Sequence, residues 1–445
     1  MPPDVRDWVD DDDLVWVVLG AVEQVDLGPL RAGYRADGHG RAAFDPAIML
    51  AVMLLGYCVG ERSSRRLERL CRKDVGFRVA ARNLTPDHAT IARFRVRHEA
   101  AVTGLFSEVL RLCAAAGMVN VGLVAVDGTK IAANASWSRN YTERALEHQV
   151  AEAEEEFARL ARQILAEAAE VDAAEDAMFG DARGDELPAE LRTREGRLAR
   201  LRAAKEQLAA EDAAKRQAQQ AKQDAWRARR DAGGPAGRKP RDEPPKRASG
   251  KPPRANTTDP DSRAMRCQHT LVQGYNGQAV VTAEQVIVGQ LLTNFATDHH
   301  LLHPSLDAAR EQLVAAGIEP RLDTVLADAG YANEDTFVRA EAVGLHLLAP
   351  LISDEQRALG ADPGGGVDPT RRPAAARAQH KLRTPQGRRE YALRGRTVEP
   401  VFGQIKDQQR ARQLSRRGLR ACQAEWALIC TAHNLRKLHR HRQAG

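Results

Sequence analysis

Apolar residues recur at helical spacing through the first part of the chain and in short strand-like bursts after it. Residues 14–25 read as a helix capped by Asp13. Asp45-Pro46 supplies an N-cap followed by proline at the first helical position, opening a helix through Tyr57. Ser63/Ser64 opens another, with Leu67, Leu70 and Cys71 at i, i+3 and i+4, and Thr85-Pro86 opens a third with Ile91, Phe94 and Val96 inward. Residues 121–126 form a β-branched apolar run that ends at Asp127-Gly128, the pattern of a buried strand. Residues 140–231, rich in Ala, Glu, Arg and Gln, read as two long helices in an antiparallel hairpin, broken over 180–188. Strand patterns return at 271–281 and 286–293 with a turn over 282–285. A helix (301–316), a strand (322–327) ending at Asp328, a helix (334–343) and a strand (345–349) follow. Residues 359–377 read as a loop, and 388–441 as two helices broken near 415–418. Without the hairpin the order is β, ββ, α, β, α, β, α, which predicts an α/β fold with a central mixed sheet flanked by helices.

This parsing gives a helical N-terminal domain over 1–118 and the first part of the core over 119–139. The hairpin insertion covers 140–233, a basic Pro/Gly-rich linker 234–260, and the rest of the core with its C-terminal helices 261–445. At 445 residues and 43% apolar content the chain can build more than one core, and bulk disorder is excluded. Six scattered cysteines without a CxxC pair argue against a zinc ribbon or a disulfide framework. The longest apolar run, 48–59, is too short to span a bilayer, and acidic residues 10–13 stand where a signal peptide carries positive charge. A cytoplasmic protein with no membrane partner is expected.

Charge distribution adds a partner class. Net charge is +6, yet residues 371–445 carry 19 Lys/Arg against 4 Asp/Glu, residues 61–97 carry 11 against 4, and residues 238–254 carry 7 against 2. Basic segments on an otherwise acidic chain suggest local contacts with a polyanion. Arg62, Arg65, Arg69 and Arg72 fall at spacings 3, 4, 3, one helical stripe, and the next helix carries Arg93 and Arg97. Two short helices in this arrangement resemble a helix-turn-helix offering side chains to DNA; a solvated face is the alternative.

Two apolar strands end alike, VAVDG at Asp127 and VLADAG at Asp328, each setting a carboxylate at a strand's C-terminal edge, where parallel sheets bind ligands. An aspartate also closes a strand as an ordinary turn residue. A third carboxylate, Glu399, lies in TVEPVFGQIK beside the stripe Val398, Val401, Phe402 and Ile405, with Lys406 two helical turns on and Gly403 between them. Three carboxylates are the hard oxygen donors that a pair of magnesium ions takes, and two such ions about 3.5–4 Å apart serve phosphodiester chemistry.

Together with TDPDSRAM, GYNGQAVV, VEPVFGQIK, RGL and EWALICTAHNLRKL, these motifs resemble the bacterial DDE transposases of insertion sequences, an RNase H-like family. The resemblance covers nearly the whole chain. It implies an RNase H-like mixed-sheet core with a helical N-terminal DNA-end binder and a long helical insertion after the first core strand. It implies an acidic triad, Asp127, Asp328 and Glu399, that is both catalytic and metal-ligating. Its cofactor would be two Mg2+ ions, with Mn2+ as a substitute. The activity implied is cutting at transposon ends and joining them to target DNA by hydrolysis and transesterification. Double-stranded DNA is the implied partner, with a homodimer on paired ends. Lys406 fits the family's basic residue after the glutamate. Tyr391 and Arg394 lie one residue further upstream than the commonest spacing, and Arg396 competes for the role of the DNA-contacting arginine. An RNase H-like nuclease without strand transfer, a catalytically inactive descendant that only binds DNA, and a helical scaffold are the rival readings.

Smaller signals read as structure. His299, His300 and His303 follow Asp298, read as the cap of a helix rather than part of a zinc site. Asp259 and Asp261 read as turn residues, and His433-Asn434 as packing or a core contact of the last helix.

Overall fold

The computed structural model describes residues 4–32, 34, 43–175, 189–232, 239–242, 253–267, 270–351 and 368–444, with the side chains of 164–193 left aside. They divide into two compact units, Met1–Ala133 with Ala264–Gly445, and Asn134–Arg263.

The first unit opens with helices α1 (Leu14–Gln24), α2 (Gly28–Arg31), α3 (Pro46–Val59), α4 (Ser64–Lys73), α5 (Val75–Ala80), α6 (His88–Arg97) and α7 (Glu99–Ala115). Asp13 and Asp45 cap α1 and α3 by accepting from the N–H groups of Val15 and Ala47, so side-chain oxygens satisfy donors that a helix start leaves unpaired. The third start differs from expectation. Asp87, not Thr85, caps α6 through Thr90 N–H, and Val96 points to solvent while Ile91 and Phe94 are buried.

Strand β1 (Leu123–Ala132) follows, and the chain then enters the second unit through β2 (Asn140–Thr142), α8 (Glu143–Glu175), α9 (Ala189–Asp231) and β3 (Arg254–Asn256). The cross-helix ion pairs Glu147–Lys205, Glu154–Arg202 and Glu156–Arg197 climb one helix as they descend the other, so α8 and α9 are antiparallel. Their seam is narrow, built of Leu146, Ala153, Leu198, Leu201, Ala204 and Leu208 with Ala255 from β3, which pairs antiparallel with β2. The expected break over 180–188 falls wholly outside the described residues, as does most of the expected linker over 234–260, whose described end carries β3.

Back in the first unit come β4 (Arg263–Cys267), β5 (Thr270–Thr282), β6 (Ile287–Thr293), α10 (Leu302–Ala315), β7 (Thr324–Ala327), α11 (Glu334–Ala342) and β8 (His346–Leu348). The sheet runs β4–β5–β1–β7–β8, with β6 also on β5. It is mixed: β1 is antiparallel to β5 and parallel to β7, and β7 is parallel to β8. Two expectations fail after that. The loop read over 359–377 lies outside the described residues up to 367 but contains the start of a helix, α12 (Pro373–Arg383). The stretch expected as two helices begins with short turns, α13 (Pro385–Tyr391), α14 (Arg394–Thr397), α15 (Glu399–Gly403) and a π turn (Gln404–Gln408), before the long α16 (Leu419–Ala444). Pro385 and Pro400 each sit at a helix start, which divides the segment.

Helices cover both sheet faces. A Cβ on Gly277 would lie 3.1 Å from the Trp426 ring of α16, and one on Gly289, which aligns with Val280, would lie 2.4 Å from Ala309 of α10. Residues 277 and 280 differ in parity, so α16 and α10 take opposite faces. The α16 side chains also finish the sheet's polar accounts. Asn434 exchanges two hydrogen bonds with the backbone of Ile287, His433 Nε2 meets the Gln285 carbonyl at 2.9 Å, and Trp426 donates to the Gln278 carbonyl. Helix α16 packs as well on α1, α3 and α7, joining the N-terminal helices to the sheet. Among the described residues no single helix is long and apolar enough to cross a membrane.

Candidate active site

Strand β1 does not stop at Asp127. It runs on to Ala132, because β5 holds it in antiparallel register from Val124↔Thr282 to Ala132↔Gly274. What ends at this point is the parallel pairing with β7, whose last register pair is Val126↔Ala327. Asp127 and Asp328 are therefore the next residue on each of two neighbouring parallel strands. Asp328 turns the chain by accepting from Gly330 N–H at 2.9 Å.

Glu399 reaches the same place from α15. Arg394, the first residue of α14, has Nη2 at 2.7 Å from Asp127 Oδ2 and Nη1 at 3.2 Å from Glu399 Oε1. One guanidinium thus joins the strand acid to the helix acid. Glu399 is not tucked against the apolar stripe as its sequence neighbours suggest; its side chain is 61% exposed, whereas Val398, Val401 and Ile405 are fully buried. Lys406 is half-buried in the π turn, which departs from the 3.6-residue period on which its alignment with Glu399 rests. Arg396 is exposed, with its carbonyl taking a hydrogen bond from Gln285.

Asp127 is strained electrostatically. Burial pushes its carboxyl up to about 6; Arg394 pulls it down, and Asp328 pushes it up again. Burial works against the Arg394 charge, but the surrounding acids, Asp127 foremost, hold it above its ordinary value. Arg394 Nε is buried without a hydrogen-bond partner. Among the described residues no three His, Cys, Asp or Glu side chains stand close enough together to hold a metal ion.

Behind the acids lies a network that sequence reasoning missed. Asp298 accepts from Asn276 (2.7 Å), Gln278 (2.8 Å) and Lys130 (3.2 Å), and Gln278 in turn accepts from the Tyr331 hydroxyl. Asp298 is not the helix cap expected of it; its side chain turns to the sheet. A Cβ at Gly128 would come within 2.2 Å of Gln278 Nε2 and 2.7 Å of Asp298 Oδ1, so a larger residue there would displace the side-chain ends that make this network. Asp127 aligns with Ala279 on the α16 face, and Gly128 with Gln278 on the α10 face, so the network buttresses β1 from the opposite side. Two amides at i and i+2 inside a buried strand, Asn276 and Gln278, were the available signal. His303 is buried against the Thr336 carbonyl.

The basic stripe divides. Arg62 precedes α4 and is 14% exposed. It pairs with the buried Glu425 at 2.9 Å and donates to the carbonyls of Gln413 and Arg410, so it is a tie between the N- and C-terminal segments. Arg65, Arg69 and Arg72 are exposed on α4, opposite the buried Leu67, with Arg72 paired to Glu68. Arg93 and Arg97 are exposed on α6, Arg97 lying over the Tyr34 ring.

Two family models match the chain. The model described as Transposase DDE domain covers residues 367–439, which include Arg394, Glu399 and Lys406. The model described as Transposase domain (DUF772) covers residues 3–97, which include α1 to α6. Asp127 and Asp328 lie between the two matched segments. No curated protein and no solved structure matches the chain.

Proposed function

We propose that this chain, an insertion-sequence DDE transposase by both family matches, cuts DNA at transposon ends and joins the ends to target DNA. The mixed sheet is read as an RNase H-like core, and Asp127, Asp328 and Glu399 as its catalytic acids. The observation that carries this reading is the juxtaposition of Asp127 and Asp328 just past the Val126↔Ala327 pair, with Glu399 tied to Asp127 through a single guanidinium. Oxygen-only donors at a strand edge suit hard divalent cations, so these acids, which with Arg394 between Asp127 and Glu399 do not gather closely enough for an ion, would hold Mg2+ once drawn together, with Mn2+ as a substitute. Such ions supply Lewis acidity to the scissile phosphate and lower the pKa of the attacking water or hydroxyl.

The rest falls to the protein's own residues. Asp127 stands on backbone held in register by the strand ladder, while the mostly exposed side chain of Glu399 has room to adjust. The Asp298 network keeps the neighbouring backbone of β1 in line. Lys406 and Arg396 are read as contacts to DNA near the cut, and the exposed arginines of α4 and α6 as phosphate contacts of an end-binding surface. A homodimer on paired ends follows from the same reading.

Asp127→Ala, Asp328→Ala and Glu399→Ala should each abolish nicking while leaving DNA binding. The check is a Mg2+-supported nicking and strand-transfer assay on duplexes taken from the DNA flanking the reading frame. Full activity in any one variant removes that residue from the site. Nicking without joined products in the wild type favours the nuclease reading instead.

A further inference from the structure

Arg394 occupies an awkward seat for a structural residue. Its guanidinium is shared between Asp127 and Glu399, the two acids that the proposed chemistry needs for metal, and its Nε is buried with no partner. It begins α14, a helix of one turn whose N-cap, Leu393, makes no side-chain capping bond. One of its two partners, Glu399, has a mostly exposed side chain. So Arg394, buried though it is, is shared between two acids, and its hydrogen-bonding capacity is incompletely used.

A phosphodiester offers what the present partners do not. Carboxylate and phosphate both accept from a guanidinium in two-pronged fashion, and arginine exchanges between them without losing bond geometry. On the reading proposed above, duplex DNA would bring phosphates beside Arg396 and Lys406. We propose that Arg394 is an internal cation that closes the acid pair in the free chain, and that a phosphate of bound DNA draws it off, opening Asp127 and Glu399 to a divalent ion. Metal binding is then coupled to DNA binding, and the coupling is reciprocal. Without DNA the acids remain neutralised, and a site able to hydrolyse phosphodiesters is withheld until its substrate is present. The inference rests on the reading of these acids as metal ligands.

The test is Mn2+ binding to the EDTA-stripped full chain, followed by the electron paramagnetic resonance of free Mn2+. It compares wild type with Arg394→Gln, each with and without a short DNA duplex at low salt. Without DNA, Arg394→Gln should bind Mn2+ about tenfold more tightly than wild type, within the usual range of such couplings. The duplex should tighten wild type by a similar factor and leave Arg394→Gln unchanged. Asp127→Asn should lose binding in both conditions. Equal affinity of wild type and Arg394→Gln, with Asp127→Asn still losing it, overturns the closing role alone. Absence of Mn2+ binding in wild type with DNA and in Arg394→Gln overturns the metal reading and this inference together. Should Arg394→Gln not fold, Arg394→Lys, which keeps a charge but not the two-pronged bridge, must still bind more tightly than wild type; if it does not, the inference falls.

Discussion

Arg62 and Arg394 are equally hidden, each with 14% of its side chain exposed, and each bonds an acid far away in sequence. Their surroundings differ. Arg62 meets Glu425, a carboxylate with no exposure, and two backbone carbonyls; Glu425 also accepts from Ser415 N–H, Ser415 hydroxyl and Arg416 N–H. Arg394 meets two acids, one of them mostly in solvent, and leaves Nε unpaired. A buried ion pair is weak evidence for stability unless its remaining donors and acceptors are satisfied. By that measure Arg62–Glu425 is a fixed tie and Arg394 a removable one.

The largest expected effect tests this difference directly. Glu425→Ala leaves the Arg62 charge buried and strips two backbone N–H groups of their acceptor, so it should destabilise by about 3–5 kcal/mol. Glu399→Ala leaves Arg394 with Asp127 and removes only a solvent-screened contact, so it should change stability by less than about 1 kcal/mol. Urea unfolding of both variants in EDTA measures the contrast. Equal losses would erase the distinction.

Local chemistry made part of this legible beforehand. Capping by Asp13 and Asp45, the strand before Asp328 and the antiparallel hairpin α8–α9 all follow from neighbours within a few residues. What escaped depends on distant partners. Asp127-Gly128 reads as a strand's end because the apolar run stops there and aspartate commonly closes a strand as a turn residue; here the glycine makes room for Gln278 and Asp298, and β5 carries the strand onward. Arg62 looks like the first member of a basic stripe until Glu425, more than three hundred residues later, is folded beside it. Arg394 carries no local mark that separates a DNA-contacting arginine from one that bridges two acids. Asp298 has the position of a cap and the contacts of a network hub.

The incomplete tie leaves a titration mark of intermediate size. Burial holds Asp127 at about 6 against an ordinary 3.8. As pH rises through that window the unfolded chain gives up its proton first, so this group lowers stability, by about 3 kcal/mol at 1.36 kcal/mol per unit. His433 runs the other way. Burial pushes it down to about 4 from 6.5, so the unfolded chain takes a proton that the fold refuses. Its contribution is complete above pH 6.5 and is lost as pH falls toward 4, again by about 3 kcal/mol. In metal-free wild type the two slopes offset each other between pH 4 and 6. Asp127→Asn should uncover the His433 slope, so that this variant weakens on acidification more than wild type does. Parallel pH curves for the two proteins would show that Arg394 already neutralises Asp127 as fully as a fixed tie would.

The smallest effect on stability, and the sharpest separation of tie from surface, comes from the α4 arginines. Arg65, Arg69 and Arg72 project opposite the buried Leu67, and only Arg72 has an ion pair among those described, with Glu68 one turn away. Replacing all three by alanine removes solvated charge from a helix whose buried side is untouched, so unfolding free energy should stay within about 0.5 kcal/mol of wild type. If these side chains neutralise DNA phosphates, the logarithmic salt dependence of duplex binding should flatten by up to about three units, less any share that Arg72 leaves with Glu68. Arg62→Ala should do the reverse. It strands Glu425 in the interior, lowering stability by several kcal/mol, and it removes no charge that DNA could reach. Measuring both variants by urea unfolding and by salt-titrated gel shift sorts four arginines of one sequence stripe into two physical classes. A triple variant with unchanged salt slope returns α4 to an ordinary solvated face, whereas an Arg62→Ala variant that keeps its stability but loses slope would put Arg62 back in the stripe.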